Sequence, residues 1–290
     1  MKTLLGQIAD LFRPSVVLMV DGGVCSQMNQ YLMGAYLMQQ GRRVEFELRF
    51  FHRDGRDADG VHVRNFDLLR LFPDLPFHEV SPLKWWVYKH LFPYYGFSEE
   101  DRAKRWWEVQ APRLVRGYFF LPKACYDLFA ATFRPQPERV LDGPNLALYR
   151  SIAERDTVAV HVRRGDLAVA RMGYGQPVGT DYYARAIAHF CDAHPHTHFY
   201  FFSDDPAYVR EVLLPSLPHP VRHTIVENGD ARGYMDLLLI SRCQHQITSK
   251  GSLGKFGAAL SAAPDKVVVY ARDDENTDIL QAVRGRLIAL

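Results

Sequence analysis

The stretch TVAVHVRRGD, residues 157–166, decides the fold class. Thr157 to Val162 is apolar or β-branched at almost every position. A strand with that pattern is buried on both faces, as in a parallel sheet. Arg163, Arg164, Gly165 and Asp166 follow at once, so charge is concentrated where the strand ends. Downstream the alternation continues. A helix is predicted over Tyr182–Ala193 and an apolar strand over His198–Phe202, running into Ser203-Asp204-Asp205. A helix over Ala207–Leu213, a strand over Val221–Val226 and a helix over Tyr234–Arg242 come next. A short strand at Gln246–Thr248, a helix over Ser252–Ala262, a strand over Lys266–Tyr270 and a closing helix from about Asp278 complete the pattern. Strands alternating with helices predict an α/β protein with a parallel sheet covered on both faces.

The upstream half reads the same way. Val16 to Val20 is a short apolar run ending at Asp21-Gly22-Gly23. A helix-like stretch from about Ser26 to Gln40 is stopped by Gly41, and Arg42 to Phe50 alternates like a strand. Strand, glycine turn, helix and strand make a βαβ unit. Loops with a short helix at Asn65–Leu71 follow, then a helix at Lys123–Thr132. The linker is Arg134 to Pro144, marked by Pro135, Pro137, Gly143 and Pro144. The expected organisation is two Rossmann-like domains, residues 1–145 and 146–290, facing each other across a cleft. In open α/β sheets ligands sit beyond the carboxyl ends of the strands.

Composition narrows the function. The chain of 290 residues is 48% apolar and 23% charged, with a net charge of +2. So small an excess does not provide the sequence-independent affinity of a nucleic-acid binder. Cys25, Cys125, Cys191 and Cys243 stand far apart, which argues against a structural zinc site and a disulfide framework. Reduced thiols fit a cytoplasmic protein. The N-terminus is a poor signal peptide, because Asp10, Arg13 and Pro14 interrupt its apolar run, and no run suits a membrane span. Aromatics reach 13% and cluster in KWWVYKHLFPYYGF, residues 84–97, and again in Arg102–Trp107. These rings suit a core, a sugar platform, or a peripheral contact with anionic membrane made through Lys84, Lys89, Arg102, Lys104 and Arg105.

Four loops carry chemistry. His161-Val162-Arg163-Arg164-Gly165-Asp166 offers an imidazole, two guanidiniums and a glycine at a strand end. Guanidiniums make planar, bidentate contacts with phosphate oxygens. The Arg-Gly-Asp within it is an adhesion signal in some secreted proteins, but the strand-capping context opposes that reading. Ser203-Asp204-Asp205 ends another strand. Its acids suit a ribose or purine N–H, a divalent cation, or the cap of the next helix. Asp21-Gly22-Gly23 and Thr248-Ser249-Lys250-Gly251-Ser252 each lead into a helix, where free N–H groups favour an anion.

Together these motifs resemble the α-1,2-fucosyltransferase family, glycosyltransferase family 11, in its bacterial members more than its animal ones. Residues 161–166 match its His-x-Arg-Arg-Gly-Asp mark in full. Gly22, Gly23, Gln27, Gln30 and Tyr31 match its Gly-Gly-x-x-x-Gln-x-x-Gln-Tyr run. Phe201 to Asp205 match its Phe-Phe-Ser-Asp-Asp strand end. Asp236, Leu237, Leu239, Ser241, Cys243 and His245 match its Asp-Leu-x-Leu-x-Ser-x-Cys-x-His helix. Two departures stand out. Cys25 and Ser26 replace a Gly-Asn pair, and Lys250 to Gly257 replaces Asn-Ser-Ser-Phe-Ser-Trp-Trp-Gly, keeping only Ser252 and Gly257.

The resemblance implies a GT-B architecture and an inverting transfer of L-fucose from GDP-β-L-fucose to a glycan hydroxyl, the 2-OH of galactose, in surface polysaccharide biosynthesis. It implies no metal and no cofactor beyond the GDP-sugar donor. Arg163 would take up charge on the β-phosphate, with Arg164 structural. His161 and Asp204 or Asp205 would recognise guanosine, and Ser252 with its helix start would hold the pyrophosphate. Gly22, Gly23, Ser203 and Ser249 complete the expected donor site, and Asp166 or Asp21 would be the base. The acceptor is an oligosaccharide, lipid-linked if the enzyme works on the inner face of the membrane. Three rivals stay open: a metal-dependent GT-A enzyme using Asp204 and Asp205, a non-enzymatic carbohydrate-binding module, and a transferase for a related GDP-6-deoxy or 3,6-dideoxy sugar.

Overall fold

The computed structural model describes residues 4–56, 63–92, 94–95, 108–116, 121–153, 156–165, 167, 176–193, 196–274 and 277–290. The chain divides into two compact units, Met1–Arg134 and Pro135–Leu290, at the start of the proline-rich stretch. Both are α/β with parallel sheets, the class the alternation predicts.

In the first unit, strands β1 (Val16–Met19), β2 (Val44–Glu47), β3 (Tyr94–Tyr95) and β4 (Arg113–Val115) form a four-stranded sheet in the order β2-β1-β4-β3. Every pairing is parallel. Helix α1 (Leu4–Leu11) precedes the sheet, α2 (Val24–Gln39) crosses from β1 to β2, and α3 (Pro82–Leu91) follows. Strand β2 is shorter than the alternation over residues 42–50 predicts. The Glu47 carboxylate accepts the Arg49 N–H at 2.8 Å, and the chain turns there into a short helix, Arg49–Arg53.

The glutamine motif of this half braces its loops. Gln27 donates to the carbonyls of Gly22 and Asn65 and accepts the N–H groups of Asp67 and Leu68. Gln30 closes a two-bond ring with Asp21, accepting its N–H at 3.0 Å and donating to its carboxylate at 2.8 Å. Both glutamines are buried, where unpaired amide groups would be costly.

Part of the aromatic–basic run faces inward, contrary to a membrane contact through Lys84. That lysine is fully buried; its ammonium donates to the Glu45 carboxylate and, at 2.7 Å, to the Arg13 carbonyl. Ser15 Oγ also donates to Glu45, at 2.6 Å, and Arg43 pairs with Asp10 at 2.9 Å. Glu45 points into the core from β2 and needs a cation there. Trp85 is buried beside Lys84, and Arg102–Trp107 lies outside the described residues.

In the second unit, strands β5 (Thr157–Val162), β6 (His198–Ser203), β7 (Arg222–Val226), β8 (His245–Ile247), β9 (Val267–Tyr270) and β10 (Arg286–Ala289) form a six-stranded sheet ordered β10-β9-β8-β5-β6-β7. Read from the β7 edge, and counted within this unit, this is the doubly wound order 3-2-1-4-5-6. Helices α4 (Gly143–Ile152), α5 (Thr180–Ala193), α6 (Gly233–Arg242) and α7 (Leu253–Leu260) cover it. Alternate residues of β5 and β6 enter opposite layers. Val158, Val160, Phe199 and Phe201 pack against Tyr183, Ile187 and Phe190 of α5. Ala159, Tyr200 and Phe202 pack against Ile152, Leu239 and Ile240.

Two predicted elements differ. The helix at Ala207–Leu213 is continued by a π turn, Val209–Leu213, into Leu214–Ser216. The closing helix from Asp278 is a single 3-10 stretch, Asp278–Ala282, after which β10 adds to the sheet beside β9. Gly285 separates them; a Cβ there would stand 2.7 Å from the Lys266 carbonyl oxygen, so only glycine admits this approach.

Lys84→Ala should leave Glu45 buried without its main cation and lower the unfolding free energy by about 3–5 kcal/mol. Urea denaturation followed by circular dichroism checks this. Lys123→Ala, at an exposed pair with Asp127, should leave the midpoint in place.

Candidate functional site

Strands β8, β5 and β6 are neighbours, so the chain after Ile247, Val162 and Ser203 converges on one edge of the sheet. The winding direction reverses between β5 and β8, which is where open α/β sheets hold their ligands. The register pairs Val162 with Ser203, so both strands end level and Arg163 meets Asp204.

The loops are tied to one another. The Arg163 N–H donates to Ser249 Oγ at 3.0 Å, and that hydroxyl lies 3.2 Å from His161 Nδ1. The Arg164 N–H donates to Asp204 Oδ1 at 2.9 Å, while Arg163 Nη1 lies 2.7 Å from Asp204 Oδ2. Arg164 stacks 3.7 Å over the Tyr208 ring, with Asp205 Oδ2 at 3.5 Å from its Nε. Ser203 Oγ donates to the Val162 carbonyl at 2.8 Å and accepts the Asp205 N–H at 3.0 Å. Asp205 accepts the Tyr208 N–H at 3.0 Å, so it caps the following helix, as an acid at that position can.

Glycines make this packing possible. A Cβ on Gly165 would stand 2.6 Å from Asp204 Oδ2, and one on Gly254 would stand 2.8 Å from His161 Cβ. Gly251 has φ +102 and lies against the Arg163 side chain. Gly254 and Gly257 let α7 approach β5 and α6, which gives part of the divergent segment 250–257 a packing role. Lys255 in that segment is fully buried and donates to Asp274.

The predicted site residues therefore separate. His161, Arg163, Arg164, Ser203, Asp204, Asp205 and Ser249 are brought together. Ser252 is exposed at the start of α7 and makes no capping bond with its side chain. Gly22, with φ +72, and Gly23 belong to the β1–α2 loop of the first unit. Asp166 lies outside the described residues. Tyr208, Lys255 and Asp274 are partners that motif reading missed. Tyr208 carries a readable signal, since it follows the Asp205 cap at N-cap spacing; the Lys255–Asp274 pair carries none. In the first unit, a cavity of about 220 Å³ opens at the end of β2 and is lined by Glu47, Arg49, His52, Glu79 and Trp85. Arg49 stacks 3.6 Å over Trp85, and desolvation raises the Glu47 carboxyl against the opposing pull of Arg49. These residues come from two separate stretches, 47–53 and 79–85, so no motif announced them.

His161 is only 5% exposed. Burial first, then the charges of Arg163 and Lys255, push its imidazole down to about 3. It is neutral at physiological pH and supports Ser249 from within. The unfolded chain takes up that proton near the ordinary histidine value, before the folded chain does. The stability this neutral ring contributes is thus full above about 6.5 and is lost as pH falls towards about 3. His161→Gln should flatten that part of the pH dependence, as read from urea midpoints between pH 7 and pH 4.

The family model of glycosyl transferase family 11 matches residues 117–281, more than half of the chain and all three converging loops. The O-antigen biosynthesis glycosyltransferase WbnK of Escherichia coli is 26% identical over 134 residues, which is 44% of this chain and 43% of that protein. The match thus spans less than half the length of that relative. Among solved structures, ADP-heptose LPS heptosyltransferase II of E. coli aligns with a TM-score of 0.49 and 12% identity, covering 95% of this chain and 90% of that one. POFUT1 in complex with GDP-fucose aligns with a TM-score of 0.45 and 12% identity, covering 89% and 97%. By the extent of the family match, the chain belongs to glycosyl transferase family 11.

Proposed function

We propose that the protein is an inverting glycosyltransferase that moves L-fucose from GDP-β-L-fucose to a glycan hydroxyl in α linkage, the 2-OH of galactose, without a divalent metal. The observation that carries this reading is the complete His-x-Arg-Arg-Gly-Asp loop at the carboxyl end of β5, its arginines held by Ser249, Asp204 and Tyr208, in a chain of family 11. The similarity to an O-antigen glycosyltransferase supports a surface polysaccharide as the product's destination.

The acceptor oxygen attacks the anomeric carbon from the face opposite GDP. One carbon–oxygen bond forms as the bond to the β-phosphate breaks, and the hydroxyl proton passes to a base. The departing diphosphate gains negative charge, and Arg163 takes it up. Its amide is fixed by Ser249 and its guanidinium is aimed by Asp204, so little reorganisation is needed at the moment of transfer. Arg164, stacked and paired, shapes the loop. Asp205, whose side chain is 42% exposed, has a free face for the guanosine, and the start of α7 offers N–H groups to the pyrophosphate. His161 acts by positioning Ser249. Asp166, or Asp21 in its ring with Gln30, takes the proton.

Metal independence rests on charge. Asp204 and Asp205 each face a guanidinium, an arrangement that disfavours a divalent cation between them. The related reading, a transferase for another GDP-deoxyhexose, is favoured by one observation: the buried Lys255–Asp274 pair stands where the family pattern has an aromatic residue.

Arg163→Lys keeps the charge but loses the fork, and should lower kcat by about 100-fold or more with the protein still folded. Turnover close to wild type would remove Arg163 from the reaction. Product formation measured by mass spectrometry with a panel of GDP-sugars should favour GDP-fucose and persist in EDTA. Loss of activity in EDTA, restored by Mn²⁺, would support the metal-dependent reading instead.

A further inference from the structure

Helix α1 is built the wrong way round for a helix that only packs on its own domain. Leu5, Ile8, Ala9 and Phe12 recur at helical spacing and all face solvent. Leu5 is 80% exposed and Phe12, just past the helix end, 84%. The opposite face is the one held by the protein. There Gln7 accepts the Leu83 N–H at 3.4 Å, and Asp10 is buried against Arg43. A surface helix ordinarily buries its apolar stripe and shows its polar one.

The neighbouring helix α3 packs against α1 and carries further exposed apolar side chains. Its Trp86 and Leu91 are exposed at 54% and 69%. Of the eight large hydrophobic side chains exposed among the described residues, five stand on these two elements: Leu5, Ile8, Phe12, Trp86 and Leu91. Such clustering marks an interaction surface. Among the described residues, the exposed charged side chains of these two elements, Arg13 and Lys89, are both basic. Asp10, the only acid on either helix, is buried and paired. A second copy of this chain seated on the face by two-fold symmetry would set cation against cation. A glycan would find few hydrogen-bonding groups there.

We propose that this face of α1, with Trp86 and Leu91 of α3, docks on the headgroup boundary of a bilayer containing anionic lipid. Leu5, Ile8 and Phe12 enter the interface, Trp86 sits at headgroup level, and Arg13 and Lys89 meet lipid phosphates. No helix among the described residues is long and apolar enough to cross a membrane, so the contact lies on the surface. It does not depend on the arginine loop, which belongs to the other unit.

The test is co-sedimentation of the full chain with vesicles of phosphatidylcholine alone and of phosphatidylcholine with phosphatidylglycerol at 7:3, roughly the anionic content at which basic surfaces bind. The protein should bind the anionic vesicles and release in high salt. Leu5→Ser with Phe12→Ser should weaken binding by about 10-fold or more, with an unchanged melting temperature because both side chains are exposed. Trp86→Ser should weaken it independently, and Val212→Ser, at an exposed apolar side chain elsewhere, should not. The proposal is overturned if the parent protein fails to bind anionic vesicles at low salt, or if the double variant binds as the parent does. It is equally overturned if light scattering shows a dimer that the double substitution dissolves, which would assign the face to a second copy.

Discussion

The pairing of Val162 with Ser203 is the constraint on which the candidate site depends. Because β5 and β6 end level, the backbone of Arg164 and the guanidinium of Arg163 reach the same carboxylate, Asp204. A register shift of one residue would turn the inward side chains of β6 to the opposite layer. Phe201 would leave the α5 face and Asp204 would leave Arg163. Burial of Phe199, Phe201, Tyr200 and Phe202 in two separate layers therefore holds the arginine loop in shape from below.

Buried cations perform the complementary task of fastening helices to the sheets. Lys84 joins α3 to Glu45 of β2, and Lys255 joins α7 to Asp274. Lys266 donates to the carbonyls of Ala258 and Ser261, closing the end of α7, and desolvation lowers its ammonium to about 8. Helix carbonyls at a C-terminus lack partners within the helix, so a lysine there meets a real need. These residues look like surface charges in a linear reading. Each is interior because it completes a polar group that the fold had already buried.

The motif segment Asp236–His245, which runs from α6 into the start of β8, shows how a family mark can be structural. Asp236 accepts from Asn228 at 2.7 Å, and Asn228 exchanges bonds with Asn145 of α4. Leu237, Leu239 and Cys243 are in the core, and His245 Nδ1 accepts the Val267 N–H at 3.0 Å. The pattern joins α4, α6 and β9, and it frames the site without entering it.

By itself the sequence determined the α/β class and the strand-end loops that carry His161, Arg163, Arg164, Asp204, Asp205 and Ser249. These follow from local causes: apolar runs that must be buried, glycines that end helices, and polar residues placed where strands stop. Tertiary structure decided which of those loops meet, because adjacency of β8, β5 and β6 arises from a crossover that no local pattern encodes. It also decided that His161 is an interior support, that Lys84 lies inside, that residues 286–289 form a sixth strand, and that the apolar stripe of α1 faces out. In each case the side chain's own chemistry permits either environment. The choice belongs to a distant partner, such as Ser249 for His161, Glu45 for Lys84, β9 for β10, and, for α1, Arg43, which holds the buried Asp10 and turns the helix over.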